Sequence, residues 1–125
     1  MVALDSSVLL RALVGDGDEL VKKARAIIAD AKPSSLHVDR IILEEVGYVL
    51  RSYYGFEKAK IVRWLHSVIA DERFYVPDRE LVALTVDIFE HEQPLSFEDS
   101  WLLALKRFGT VTAVETFDEA LVKRA

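Results

Sequence analysis

At 125 residues with 51% hydrophobic side chains, the chain is the size of one domain and buries a core covering about two-thirds of its unfolded surface, which argues against a disordered segment. The formal net charge of −5 argues against holding nucleic acid through an overall basic surface, and leaves a local basic patch or a metal ion to supply any such attraction. The absence of cysteine excludes disulfides, thiolate nucleophiles and cysteine-ligated zinc; no apolar run approaches the roughly 20 residues of a membrane span, and Asp5 interrupts any signal-peptide core, so the cytoplasm is the expected location.

In chain order, Val2 to Leu4 is the first strand candidate, and a short helix from Ser7 to Val14 follows. The polar turn "GDGD" at residues 15–18 leads to Asp18 as an N-cap, then to a helix striped by Leu20, Val21, Ala24, Ile27 and Ile28 that ends before Pro33. Leu36 to Val38 reads as a second strand. The spacing of Ile42, Val46, Val49, Leu50 and Tyr53 predicts a helix over 39–53, closed by Gly55. Ile61, Leu65, Val68 and Ile69 mark the next helix. Phe74 to Val76, stopped by Pro77, forms a third strand, and Leu81, Leu84, Thr85, Ile88 and Phe89 stripe a fifth helix. Ser96 opens a sixth helix, Val111 to Val114 supplies a fourth strand, and a last helical segment starts near Phe117. No repeat or low-complexity stretch interrupts this order, so residues 1–125 read as one domain. Strands separated by helices require crossover connections, hence a parallel sheet with helices on both faces.

Ligands of such sheets bind beyond the carboxyl ends of the strands, where Asp5 falls. Asp5 also suits an N-cap, so its residue type alone leaves both roles open. In "IILEEVGYVLR" the two glutamates point about 100 degrees apart. Glu45 shares the register of Ile42, Val46 and Val49, whereas Glu44 aligns with Arg40 and Tyr48 and reads as solvated. A carboxylate on a buried stripe needs a cation, a hydrogen-bond network or an opening to water. In "LSFEDSWLLALKRFG", Ser96 and Asp99 have capping-box spacing, and Asp99 begins an apolar stripe, so it caps, binds a cation, or does each in turn. In "VETFD", Asp118 follows a strand as Asp5 does, and Thr116 with Glu119 offers a second capping box; as a plain first-turn acid, Asp118 would favour the helix dipole.

At these four places the chain resembles the PIN-domain family, small nucleases that include the VapC-type toxins of toxin-antitoxin pairs. The resemblance rests on "LDSSVLL", "LEEVGYVLRSYYG", "LSFEDSWLLALKRFG" and "VETFD" and spans nearly the whole chain. It implies a three-layer α/β/α sandwich with a parallel sheet of four to five strands. It also places metal-binding, catalytic acids on Asp5, Glu45, Asp99 and Asp118, with Ser6 or Ser7 in the hydroxyl position after the first aspartate. Many relatives have Thr then Asn where this chain has Ser6 and Ser7, and a basic residue where it has Glu119. The implied activity is a metal-dependent endoribonuclease acting on RNA, the toxin of a toxin-antitoxin pair. A small antitoxin protein would dock on apolar residues near the first helices and the fourth, and a similar surface would serve a homodimer.

The chemistry stands beside the resemblance. Clustered carboxylates repel one another unless a divalent cation neutralises them, and oxygen-only ligands suit Mg2+ or Mn2+. Arg11, one helix length from Asp5, is a candidate substrate contact; Lys22, Lys23, Arg25 and Arg51 attract RNA or simply solvate a helix face. His37, His66 and His91 lack paired metal-site spacing, and Trp64 and Trp101 read as packing or interface residues. The competing readings are a catalytically silent PIN-like RNA-binding or scaffold module, and a phosphatase or receiver domain. The last two lack their second aspartate in "DSS" and a lysine in "TAVETFD".

Overall fold

A computed structural model describes residues 1–125. The chain forms two compact units, Met1–Pro77 and Asp78–Ala125.

The first unit carries the sheet. Strands β1 (Val2–Ala3), β2 (Leu36–His37) and β3 (Phe74–Tyr75) pair in parallel in the order β1-β2-β3. Val2 is in register with Leu36 and Leu36 with Phe74, so Ala3, His37 and Tyr75 form the next row. Leu36 and Phe74 are buried, whereas the His37 and Tyr75 rings meet at a tilt, their centres 5.4 Å apart. Between the strands run α1 (Ser6–Val14), α2 (Glu19–Ala29), α3 (Arg40–Ser52) and α4 (Lys58–Ala70). Each crossover is helical because two parallel strands cannot be joined by a tight turn.

Local chemistry sets the helix limits. The Asp18 carboxylate accepts from the Val21 amide at 2.9 Å, and Asp39 accepts from Ile41 and Ile42 at 3.1 and 3.3 Å, each satisfying orphan donors of a first turn. Leu43, Val46 and Leu50 of α3 and Ile61, Val62 and Leu65 of α4 are fully or almost fully buried. α3 ends at Ser52 with Tyr53 as C-cap, and the chain turns away at Gly55, whose φ of 70° is the left-handed conformation glycine adopts without penalty. Arg73 forks onto Asp71 and donates to the Ile28 carbonyl at 3.1 Å, tying the end of α2 to the start of β3.

The second unit is helical: α5 (Arg79–His91), α6 (Phe97–Arg107) and α7 (Glu119–Val122). Leu81, Ile88, Leu95, Leu103, Ala104 and Leu121 form its core, with Trp101 packed against it. The parallel α/β class agrees with the sequence reading, but the sheet has three strands rather than four to five. The stretch Val111 to Val114 is irregular instead of a fourth strand. The amides of Thr110 and Val111 both donate to the Leu105 carbonyl, so this backbone closes the end of α6 rather than joining a ladder.

Candidate metal and nucleic-acid site

In the first unit, Asp5 leaves β1 two residues beyond Ala3 and occupies the N-cap position of α1 with an extended backbone. It makes no side-chain cap bond. The Ser7 hydroxyl instead donates to Asp5 Oδ2 at 2.8 Å, and this bond holds the exposed carboxyl below the usual aspartate range. Desolvation opposes the shift and is outweighed. Of the two hydroxyls that follow Asp5, that of Ser7 has the larger influence on the carboxylate and that of the buried Ser6 a smaller one. Arg11 is exposed in the last turn of α1.

Glu45 lies on α3, but the burial of that helix corrects its expected phase. The buried line runs through Leu43, Val46 and Leu50, with Ile42 and Val49 only half-buried. Glu45 is exposed, in line with exposed Ile41, Tyr48 and Ser52, and Glu44 is the half-buried glutamate. The Glu45 carboxylate thus needs no compensation for burial and is open to solvent. No hydrogen bond or ion pair joins it to Asp5.

Asp39 was missed. It leaves β2 in the row that Asp5 occupies beyond β1, and it too opens a helix. The signal was present, since "HVDR" repeats the strand-aspartate-helix order of "VALDSS". Its Oδ1 caps α3, as the Oδ1 of Asp118 caps α7, and its second carboxylate oxygen takes no part in the cap.

In the second unit, Ser96 Oγ accepts from the Asp99 amide at 3.0 Å, so Ser96 alone forms the cap. The Asp99 carboxylate does not complete a capping box and is half-buried beside the buried residues Phe97, Ser100 and Leu103. Asp118 is the N-cap of α7: its Oδ1 accepts from Ala120 and Leu121 at 2.9 and 3.2 Å. Thr116 Oγ1 accepts from the Asp118 amide, so the expected box between Thr116 and Glu119 is replaced by an Asp118 cap. Asp118 is exposed, and its second carboxylate oxygen remains available.

Arg25, considered as an RNA contact, has a structural task. It donates to the Ala12 and Gly15 carbonyls at 3.1 and 3.4 Å and so closes the end of α1. His91 Nδ1 lies 2.9 Å from the Asp87 carbonyl within its own helix.

A parallel sheet that delivers an ionised aspartate at a strand's carboxyl end defines a candidate anion- or cation-handling site of the α/β class. The PIN domain family model matches residues 2–125, and the chain belongs to that family. PIN domains are generally nucleases and typically use divalent metals, and the parallel sheet with seven helices is consistent with an α/β sandwich. Searches of curated proteins and of solved structures each return no match. No helix is long and apolar enough to cross a membrane.

Proposed function

We propose that the chain is a metal-dependent endoribonuclease that hydrolyses RNA phosphodiester bonds, the toxin of a toxin-antitoxin pair. The observation that carries this reading is the Asp5 carboxylate of a PIN-family chain: exposed, beyond a parallel strand, and kept ionised by Ser7. The donors fit a hard divalent ion, since Asp5, Glu45, Asp99 and Asp118 offer only carboxylate oxygen and neither Glu45 nor Asp99 spends its carboxylate on capping. These four residues would hold Mg2+ or Mn2+. Such an ion, when bound, polarises a phosphate oxygen and makes water a nucleophile near neutral pH.

The chain's own residues do the rest. The Ser7 hydroxyl holds one oxygen of Asp5 by a hydrogen bond that favours the anionic form. Exposed Arg11 completes the substrate side as a phosphate contact, whereas Ser6, expected beside it, is buried. The family match over both compact units supports reading residues 1–125 as one domain. A cavity of about 200 Å3, lined by Leu9, Leu13, Ile28, Trp64 and Phe74, lies among α1, α2 and α4. It offers an apolar seat for an antitoxin segment. A homodimer acting in the cytoplasm completes the proposal.

The test is cleavage of a labelled RNA with Mn2+ by wild type and Asp5→Asn. The amide removes the charge at nearly constant volume, so we expect activity to fall on the order of 100-fold or more with an unchanged thermal melt. Wild-type activity in the variant would remove Asp5 from the site. An inert wild type that still binds RNA would favour the catalytically silent binding module.

A further inference from the structure

From the end of α3 into the first turn of α4, "RSYYGFEKAK" (51–60) carries three cations, Arg51, Lys58 and Lys60, and one carboxylate, Glu57. The same stretch holds an exposed aromatic group. Tyr53 is 80% exposed and Tyr54 45%, and one turn back Tyr48 is 70% exposed. Rings this open and this close together form a patch of the kind that marks an interaction site.

Their geometry is fixed by the backbone rather than left to a loose loop. The amides of Tyr53 and Tyr54 both donate to the Val49 carbonyl, and Phe56 donates to Leu50 at 2.9 Å across the left-handed Gly55. Tyr53 and Tyr54 meet edge to face at 4.9 Å, and Tyr54 meets Phe56 at 6.4 Å. Lys60 Nζ sits 4.1 Å from the centre of the Phe56 ring, which holds a positive charge beside the rings. Arg51 is exposed and neighbours Tyr48 across one helical turn. An edge-to-face pair leaves ring faces open, and cations beside open ring faces are what an unpaired base and its phosphate require.

We propose that Tyr48, Tyr53 and Tyr54, with Arg51 and Lys60, form a platform on which bases of single-stranded RNA stack. The ligand class rests on the ribonuclease reading above, but the binding does not rest on cleavage. Tyr48 lies on the exposed line of α3 that carries Glu45, and at 1.5 Å per residue the C-cap Tyr53 lies about 12 Å along the helix from it. Bases held there would flank a phosphate presented near Glu45.

The experiment measures binding of a fluorescent, single-stranded RNA of about ten nucleotides by anisotropy, in EDTA so that no cleavage intervenes. A duplex of the same sequence is measured beside it. The proteins are wild type, the double variant Tyr53→Ala with Tyr54→Ala, and the double variant Tyr53→Phe with Tyr54→Phe. We expect the alanine pair to weaken single-strand binding about tenfold or more, the phenylalanine pair to bind as wild type, and duplex binding to be equal in all three. Equal single-strand binding by the alanine pair overturns the platform, as does a wild type that binds no RNA or an equal loss on single strand and duplex. Loss of a wild-type self-association with RNA affinity unchanged also overturns it, and makes the rings a protein interface. Ring-dependent binding by a wild type that never cleaves with Mn2+ sinks the nuclease reading and leaves the platform standing. Cleavage with ring-independent binding does the reverse.

Discussion

Gly15 shows how one residue's size is dictated by its neighbours. Its φ of −71° is ordinary, so conformational freedom is not why glycine stands there. A Cβ at this position would run into both methyls of Val21 and the Arg11 carbonyl, where the chain turns from α1 to α2. Val21 is buried, and the Arg11 carbonyl accepts the Gly15 amide, so neither yields easily. Gly15→Ala should therefore destabilise by about 1–3 kcal/mol, the usual cost of overpacking, read as a lower urea midpoint. An unchanged midpoint would mean that the turn relaxes freely. Arg25 braces the same corner through two carbonyls, which explains why a basic residue on an exposed helix need have nothing to do with nucleic acid.

Among the elements, α5, α6 and α7 are joined through a single carboxylate. Glu92 follows α5 and accepts from Arg107 of α6 and Arg124 after α7, each at 3.0 Å; Arg124 also donates to the Gln93 carbonyl. The Arg107 bond first, then Arg124, holds Glu92 below the usual glutamate range. A group with a lowered folded pKa stabilises above its unfolded pKa, roughly 4.3, and loses that contribution as pH falls through the folded value. Wild type should lose melting temperature in that acid window more steeply than Glu92→Gln, and parallel pH profiles would show that the two arginines add nothing. None of this clasp was legible, because its partners lie 15 and 32 residues away in the chain. What was legible was local: Asp18 as cap, Pro77 as stop, Gly55 as helix end. The α3 phase differs because Ile42 and Val49, whose register Glu45 shares, are only half-buried; with Leu43, Val46 and Leu50 as the buried line, Glu45 turns outward. The extra strand at Val111 to Val114 failed similarly, since β-propensity does not say whether a partner strand is there. The position of Asp5 beyond a strand was readable from alternation alone, but its Ser7 bond, rather than a cap, required the structure.

For the whole molecule, the proposed metal site makes a prediction about stability. An ion that binds only the folded chain raises its stability by mass action, about 2.7 kcal/mol at a hundred times the Kd. Millimolar Mn2+ should raise the wild-type melting temperature, and Asp99→Asn should shrink that rise while leaving the metal-free melt within about 0.5 kcal/mol, because Ser96 and not Asp99 caps α6. A full rise in the variant would remove Asp99 from the ligand set. The exposed rings have a consequence of another kind. Tyr48, Tyr53, Phe108 and Phe117 all face solvent on a chain whose charge vanishes near pH 5.2. At neutral pH the surplus of five negative charges opposes non-specific clumping of the molecules. Towards pH 5.2, or in salt that shortens the Debye length to a few ångströms, that long-range repulsion is gone and ring-to-ring adhesion acts unopposed. The acidity of this surface is thus a colloidal safeguard, one that lets a molecule carry bare aromatic rings and stay dispersed.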